Sequence, residues 1–364
     1  MKILHVSGNQ FPSLTSDHHT KRIWIELAKG IEEYHILARS KDNSFHFYKE
    51  GNIYLHLVPA LTKRQWSFFF TSSYMIKLLL KHNIRKILVQ CPIMGGFTTA
   101  VISKFSSVKF MVEIHGEEYF RYFTNTTFTY RILNLIQRFT FNQASIIRSL
   151  SSKMTEKLNY YGIVRNIQLI PNRVDLALFN KKKQDFLIRD KPTLVSVGRF
   201  VEAKNYEFLV KFCLDNNYRL VLIGGGKLRQ NYESIISSYH NSDDIILVDW
   251  VTQTDMIDMI IKADIYIQSS VTEGVPRAIL EAMALNIPVV STRVGSIDGV
   301  LDSGRNGYLI NDPKNAEEYR NVLNELCQNI EVRKQIADAA FSDIVNHFEW
   351  NKVFDTYRYA LKSL

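Results

Sequence analysis

The chain has few cysteines, with only Cys91, Cys213 and Cys327 among 364 residues. Because their number is odd and they lie far apart, a disulfide framework is not expected, and a reducing compartment is indicated. The sequence also lacks a run of about 18 apolar residues, the length that a membrane-spanning helix needs. Its first apolar stretch, Met1–Gly8, is too short for a secretory signal peptide and predicts a buried strand. We therefore expect a cytoplasmic protein.

Signatures of nucleic-acid binding are missing as well: there is no zinc-ligand spacing, no RNA-binding sheet signature and no basic DNA-reading helix. Positive charge is nevertheless concentrated in one half. Residues 1–180 contain 23 lysines and arginines against 11 acidic residues, whereas residues 181–364 contain 22 against 25. Such asymmetry indicates an anionic partner. We expect no nucleic acid but an anionic membrane surface or a diphosphate-linked lipid, with the protein peripheral on the inner face of the cell membrane.

Short β-branched runs alternate with helical segments along the chain, which is typical of parallel sheets covered by helices on both faces. The pattern predicts an α/β fold of two doubly wound, Rossmann-like domains that face each other across a cleft, with ligands at the carboxyl ends of the strands. We place the domains at residues 1–175 and 176–345, followed by a helix at 346–364 for which a return to the first domain is one option. The predicted strands are Ile3–Ser7, Lys86–Gln90, Phe110–Ile114, Ser145–Arg148, Ile167–Ile170, Thr193–Val197, Leu220–Ile223, Ile245–Val248, Ile265–Gln268 and Pro288–Ser291.

The segment Thr272–Ala284 places two acids, Glu273 and Glu281, eight positions apart across a predicted helix start. Pro276 suits the first helical position because its φ is fixed and it has no N–H. The backbone N–H groups of 274–277 would then point, unpaired, out of the positive end of the helix dipole, where a phosphate binds. One acid would reach a group on one side of the phosphate, and the second acid a group on the other side. A nucleoside diphosphate joined to a sugar has this layout.

Taken alone, the same segment also fits an ordinary capped helix, with Ile279 and Met283 in the core and Glu281 solvated. Further motifs at predicted strand ends favour the ligand site. Arg199 and Lys204 follow one strand and could clamp a diphosphate.

The next predicted strand leads into Gly224 and Gly225, where glycine lets the backbone approach a ligand closely. A flexible turn is the alternative for these glycines. His115 follows a strand of the first half, where a histidine can donate to a hydroxyl or a phosphate, although a structural role is the common one.

Together these motifs make the chain resemble the retaining glycosyltransferases of family 4, which have the two-Rossmann-domain architecture called GT-B. The resemblance spans nearly the whole chain. The motifs that carry it are Val197-Gly198-Arg199 with Lys204, Gly224–Gly226, Ser269-Ser270, and the Glu-x7-Glu signature from Glu273 to Glu281, followed by Pro288-Val289-Val290 and Gly295.

The resemblance implies a role for each of these motifs. It implies that Arg199 and Lys204 hold the donor diphosphate, that Glu273 and His115 lie at the donor sugar as catalytic candidates, and that Glu281 contacts the ribose. We assign Gly274, Val275 and Arg277, at the helix start, to the diphosphate as well.

Some positions depart from the family pattern. His18 and His19 stand where the family carries a Gly-Gly pair in the first loop. Together with Gly8, Gly224 and Gly225 they are candidates for the loops that approach the donor. Arg173 stands where the linker motif prefers glycine, and Asn286 replaces a common glycine after the signature helix, where asparagine tolerates a left-handed backbone.

We expect a nucleotide-sugar-dependent, retaining transferase that extends a lipid-linked saccharide in bacterial surface polysaccharide synthesis. A sugar-nucleotide epimerase or phosphorylase on the same architecture remains an alternative, as does a non-catalytic nucleotide-sugar-binding protein. No cofactor is expected, because the nucleotide sugar is a co-substrate. No metal is expected either, since no Asp-x-Asp pair follows a predicted strand and protein cations already supply positive charge.

A membrane-docking segment is predicted at residues 63–81, where three consecutive phenylalanines lie beside a tryptophan and two cations. On a helical wheel Phe68, Met75 and Leu79 share a face, while Lys77 and Lys81 lie opposite. Other angles are apolar too, so burial of the segment in the core is the alternative. The excess of cations in residues 1–180 favours docking.

Overall fold

A computed structural model of the chain describes residues 1–11, 19–60, 68, 71–274 and 277–364. The side chains of residues 19, 94, 117 and 118 are outside this description. Predictions made for His18, Val275 and Pro276 therefore lie outside the described residues, as does most of the segment 61–70. The chain divides into two compact units. Unit 1 comprises Met1–Pro171 and Phe354–Leu364, and unit 2 comprises Asn172–Val353.

Unit 1 contains an eight-stranded sheet in the order β3-β4-β2-β1-β5-β6-β7-β8. All neighbouring strands are parallel except β3 and β4, which form an antiparallel edge. Its elements in chain order are β1 (Lys2–Phe11), α1 (His19–Ala28), β2 (Glu33–Ser40), β3 (His46–Glu50), β4 (Ile53–Val58), α2 (Ser72–His82), β5 (Lys86–Val89), α3 (Met94–Lys104), β6 (Lys109–Glu113), α4 (Arg121–Thr124), α5 (Phe128–Gln143), β7 (Ile146–Ser149), α6 (Ser152–Tyr160) and β8 (Ile167–Leu169).

Unit 2 contains a six-stranded parallel sheet in the order β11-β10-β9-β12-β13-β14. Its elements are β9 (Thr193–Val197), α7 (Tyr206–Asp215), β10 (Arg219–Ile223), α8 (Arg229–Ser237), β11 (Ile245–Val248), α9 (Gln253–Lys262), β12 (Ile265–Gln268), α10 (Arg277–Ala284), β13 (Val289–Thr292), β14 (Tyr308–Ile310), α11 (Ala316–Gln328), α12 (Ile330–Asp343) and α13 (Trp350–Ser363). The last helix begins in unit 2 and ends in unit 1.

The two α/β units, with sheets that are parallel except at β3, confirm the predicted fold class, and all ten predicted strands are present. The structure adds β2, β3, β4 and β14, which the sequence patterns did not identify. The predicted inward positions of the signature helix are confirmed, because Ile279 and Met283 are both fully buried. Asn286 follows that helix with φ +62°, the left-handed conformation expected of it.

The prediction that Phe68, Met75 and Leu79 dock on a membrane is wrong for this fold. All three side chains are buried in unit 1, whereas Lys77 and Lys81 are exposed. The apolar face of α2 packs on the sheet because burial there removes it from water. Within the described ranges, no helix combines the length and apolar character needed to cross a bilayer.

Candidate functional site

The candidate site residues of unit 2 lie on loops that follow the carboxyl ends of four neighbouring strands, or in helix α10, which follows one of these loops. In the sheet, β10, β9, β12 and β13 are adjacent and parallel. Their carboxyl ends therefore share one edge, and the loops that leave them lie side by side. This edge is where open α/β sheets bind ligands.

Glu273 and Lys204 form an ion pair at this edge, although 69 positions separate them. The Lys204 ammonium lies 2.5 Å from Glu273 Oε1, and the two side chains are only 16% and 15% exposed. The structure thus brings together Glu273, predicted at the donor sugar, and Lys204, predicted at the diphosphate.

A polar chain beneath the pair fixes the carboxylate. Ser270 Oγ donates to Glu273 Oε1 at 2.8 Å, and Gln268 Nε2 donates to the same oxygen at 3.1 Å. The Tyr266 hydroxyl in turn donates to Gln268 Oε1 at 3.0 Å, and all three supporting side chains are buried. Buried polar groups that are fully hydrogen-bonded hold one geometry. The orientation of Glu273 is therefore set by the fold.

Two glycines allow the loops of this edge to touch. Gly295 has φ +64°, and a Cβ there would lie 2.1 Å from the Glu273 carbonyl oxygen. Gly224 has φ +145°, and a Cβ there would lie 2.0 Å from the Gly198 carbonyl oxygen. A side chain at either position would push adjacent loops apart. Gly225 is less constrained, because its nearest neighbour, Trp250 Nε1, would be 3.3 Å from a Cβ.

Three more residues predicted at the site, Arg199, Gly274 and Arg277, are close in sequence to Lys204 or to Glu273. Arg199 is exposed on the loop after β9, and the structure shows no partner for its guanidinium among the described residues. Gly274 is half-buried, and its carbonyl accepts a hydrogen bond from the Ser296 N–H at 3.0 Å. Arg277 begins α10 and is exposed.

Glu281 is half-buried, so the ordinary solvated position weighed for it does not hold. Burial raises the pKa of its carboxyl, and the charge of Arg277 opposes that shift. None of the described side chains donates a hydrogen bond to this carboxylate. A carboxylate in this position is available to accept from a ligand hydroxyl.

In unit 1, His115 follows β6 and is 41% exposed. Its Nε2 lies 3.3 Å from Oε2 of the buried Glu113. The other oxygen of Glu113 accepts hydrogen bonds from Arg148 and from the Tyr357 hydroxyl of α13. Burial alone would raise the pKa of Glu113, but the neighbouring His115 and the guanidinium of Arg148 hold it well below its usual range. The imidazole is thus oriented by an ionised carboxylate.

The first-loop candidates are only partly described. Gly8 lies in β1, where its carbonyl accepts a hydrogen bond from Arg39 at 2.7 Å. His19 begins α1. His5, in the same strand as Gly8, is buried, and desolvation lowers its pKa to about 4. The sequence did not identify His5 as a site residue, because a histidine inside an apolar strand pattern is usually part of the core.

Sequence reasoning also missed Glu113, Arg148 and Gln268. The sequence feature that could have identified them is a charged or amide side chain inside an otherwise apolar strand. Such groups are rarely buried without partners, so each one indicates a partner nearby. Two opposite charges in predicted neighbouring strands could have identified the Glu113–Arg148 pair.

Comparison with known proteins agrees with this architecture. Residues 18–178 match the family described as "Glycosyltransferase Family 4", and residues 179–343 match "Glycosyl transferases group 1". The lipopolysaccharide core biosynthesis glycosyltransferase LpsE of Rhizobium meliloti is 27% identical over 215 residues. That match covers 58% of this chain and 62% of LpsE. The chain therefore matches less than two thirds of the length of that relative.

Solved structures share the fold over the full length. Sucrose-phosphate synthase from Thermosynechococcus elongatus superimposes with a TM-score of 0.84 at 16% identity, covering 100% of both chains. HepE of Anabaena, crystallised with UDP-glucose, superimposes with a TM-score of 0.76 at 16% identity, again over 100% of both chains. At these identities the likeness shows the GT-B fold alone.

Proposed function

We propose that this chain is a glycosyltransferase of the GT-B type, and that it transfers a sugar from a nucleoside diphosphate sugar to a saccharide acceptor with retention of configuration. The observation that carries the proposal is the Lys204–Glu273 pair at the carboxyl edge of the unit 2 sheet, with the exposed Arg199 on the same loop as Lys204. An anionic ligand and a hydroxyl-rich ligand can both be held there, since the pair offers a cation and an acceptor side by side.

The reaction breaks the bond between the anomeric carbon and the diphosphate, and negative charge grows on the leaving group. Arg199 and Lys204 supply the positive charge that stabilises this leaving group. The ammonium of Lys204 has three donors, and Glu273 occupies one of them. Two donors therefore remain for phosphate oxygens while the carboxylate holds the ammonium in place.

We favour attack by the acceptor oxygen from the same side on which the diphosphate leaves. A covalent intermediate would need a free carboxylate as nucleophile. Lys204, Ser270 and Gln268 hold Glu273 through Oε1, and we assign its carboxylate to sugar hydroxyls rather than to attack on carbon. Glu281, half-buried eight residues further on, is the acceptor for ribose hydroxyls.

A UDP-sugar is the first donor to test, because HepE shares the fold and was crystallised with UDP-glucose. Full-length protein is heated with UDP-, GDP- and ADP-sugars, and the melting temperature is followed. A ligand at 100 times its dissociation constant stabilises by about 2.7 kcal/mol. Arg199→Ala should weaken the shift, whereas Arg189→Ala, an exposed arginine paired with Asp185, should not.

The nucleotide sugar that raises the melting temperature is then tested as a substrate. Transfer of its sugar, or its slow hydrolysis, distinguishes an enzyme from a nucleotide-sugar-binding protein. Product anomers read by NMR separate retention from inversion. Stabilisation without any turnover would favour the binding protein. Interconversion of donor sugars without transfer would favour an epimerase.

The acceptor is proposed to be a lipid-linked saccharide of a bacterial surface polysaccharide, as the name of LpsE suggests for that relative. Helix α5 offers a surface that suits an anionic membrane. Phe128, Ile132 and Leu135 are 79%, 41% and 69% exposed and follow a helical i, i+4, i+7 spacing. Arg131 is exposed on the same helix. Apolar side chains beside cations are typical of interfacial helices.

Sedimentation with liposomes tests this surface. Wild-type protein should pellet with vesicles that contain anionic lipid, and a Phe128→Ser, Leu135→Ser double variant should pellet less. Tyr160→Ser changes an 84% exposed aromatic residue outside α5 and should pellet like wild type. Equal pelleting of the folded double variant would exclude α5 as the docking surface.

A further inference from the structure

Three potential metal ligands meet in unit 1, at the edge of the sheet opposite to His115. Glu33 and His35 lie two residues apart at the start of β2, on one face, and His82 is the last residue of α2. The His35 Nε2 atom lies 3.0 Å from Glu33 Oε2, and His82 Nδ1 lies 3.1 Å from the same oxygen. All three ligand atoms are within 4.8 Å of one another. Within the described ranges, this is the one group of three such side chains.

We propose that Glu33, His35 and His82 bind a Zn²⁺ ion that joins β2 to the C-terminal end of α2. This inference is independent of the transfer reaction. Zinc bonds to imidazole nitrogen and carboxylate oxygen are about 2.0–2.2 Å long, so two ligands of a tetrahedral ion lie roughly 3.3 Å apart. The distances from Glu33 Oε2 are close to this spacing, and two imidazoles with one carboxylate are a common zinc ligand set.

A second layer of hydrogen bonds holds the buried ligand. His35 Nδ1 lies 3.0 Å from His56 Nε2, and His56 Nδ1 lies 3.2 Å from the Tyr74 hydroxyl. Metal-bound histidines usually donate their second ring N–H to such a partner, which fixes the tautomer and the ring orientation. If His35 Nδ1–H donates to His56, the Nε2 lone pair is directed at the carboxylate and is free for the ion.

The charges around the cluster leave the metal-facing oxygen accessible. Lys2 contacts Glu33 through the other oxygen, with its ammonium 2.7 Å from Oε1. Glu32 lies 3.7 Å from that ammonium and offsets part of its charge. Glu33 and His82 are about one fifth exposed, which gives an ion a path from solvent, whereas His35 is fully buried. Lys81, next to His82, is exposed and can turn into water.

Untagged full-length protein is stripped with a chelator, equilibrated with ZnCl₂ at low micromolar free zinc, and assayed for bound metal. We expect one zinc per chain, a higher melting temperature with zinc, and tetrahedral d–d absorption when Co²⁺ replaces it. His82→Ala should lower the affinity at least tenfold. His46→Ala removes another histidine paired with a carboxylate, that of Asp42, and should bind like wild type.

His82 is 20% exposed at the C-terminal end of α2, so the variant should fold, and far-UV circular dichroism verifies this. Glu33→Gln gives a second test, because it keeps the volume and removes the anionic ligand. Absence of zinc binding by the wild-type protein would overturn the proposal and leave the cluster as a hydrogen-bonded network. Wild-type affinity in folded His82→Ala would overturn it equally.

Discussion

Replacing Glu273 with glutamine separates its structural contribution from its proposed contact with the donor sugar. The change keeps the volume of the side chain but leaves the ammonium of Lys204 without its charge partner. Removing one partner of a fully buried ion pair costs about 3–5 kcal/mol. Both side chains retain about one sixth of their exposure, so water screens part of this loss. We expect the free energy of unfolding to fall by about 1–2 kcal/mol.

The effect on transfer should be larger than this loss of stability explains. A hydrogen bond between a sugar hydroxyl and an ionised carboxylate contributes about 1.5–3 kcal/mol. If Glu273 makes such a bond in the transition state, kcat/KM should fall roughly 10- to 150-fold. At a temperature well below unfolding, a variant destabilised by 1–2 kcal/mol is still almost fully folded.

Urea denaturation gives the stability change, and transfer from the stabilising nucleotide sugar gives kcat/KM. Glu207→Gln is the matched control, since it breaks an exposed pair with Lys211 in the same unit. That variant should lose no more than about 0.5 kcal/mol of stability and no activity. Wild-type kcat/KM in Glu273→Gln would refute a contact with the donor and leave the ion pair as a structural feature.

Three further predictions follow from particular side chains. His5 is buried and neutral, and its pKa of about 4 lies below the unfolded value of 6.5. Its contribution of about 3 kcal/mol to the free energy of unfolding should therefore be complete above pH 6.5 and lost as the pH falls towards 4. The stability of His5→Gln, measured by denaturation, should depend less on pH. Transfer should persist in EDTA at temperatures well below unfolding, because Arg199 and Lys204 supply the positive charge, whereas restoration by manganese of a lost activity would contradict this. Gly295→Ala should lower both stability and donor affinity, while Gly304→Ala, with φ +82° and nothing within 4 Å of its Cβ, should cost only about 1 kcal/mol of backbone strain.

The sequence predicted strands well where a single apolar run marks a buried parallel strand, as in β9 and β12. It missed β2 and β4, two strands that each carry a buried histidine, His35 and His56. These histidines are buried at low cost because they hydrogen-bond to each other. A partner on the neighbouring strand is a tertiary property, which the pattern of one segment does not contain.

The candidate site shows the same division between local and tertiary information. Each motif at a strand end, with its glycine, arginine, lysine or glutamate, was only weak evidence for a ligand site. The order of the strands in the sheet decides which of these residues lie close together. Because β9 lies beside β12, Lys204 reaches Glu273 across 69 positions of sequence. The support beneath that pair consists of Gln268 and Ser270, polar residues in and after a buried strand. Burying such groups is unfavourable unless they are satisfied, and here Glu273 satisfies them. The polar strand end is therefore best explained by the carboxylate that it orients.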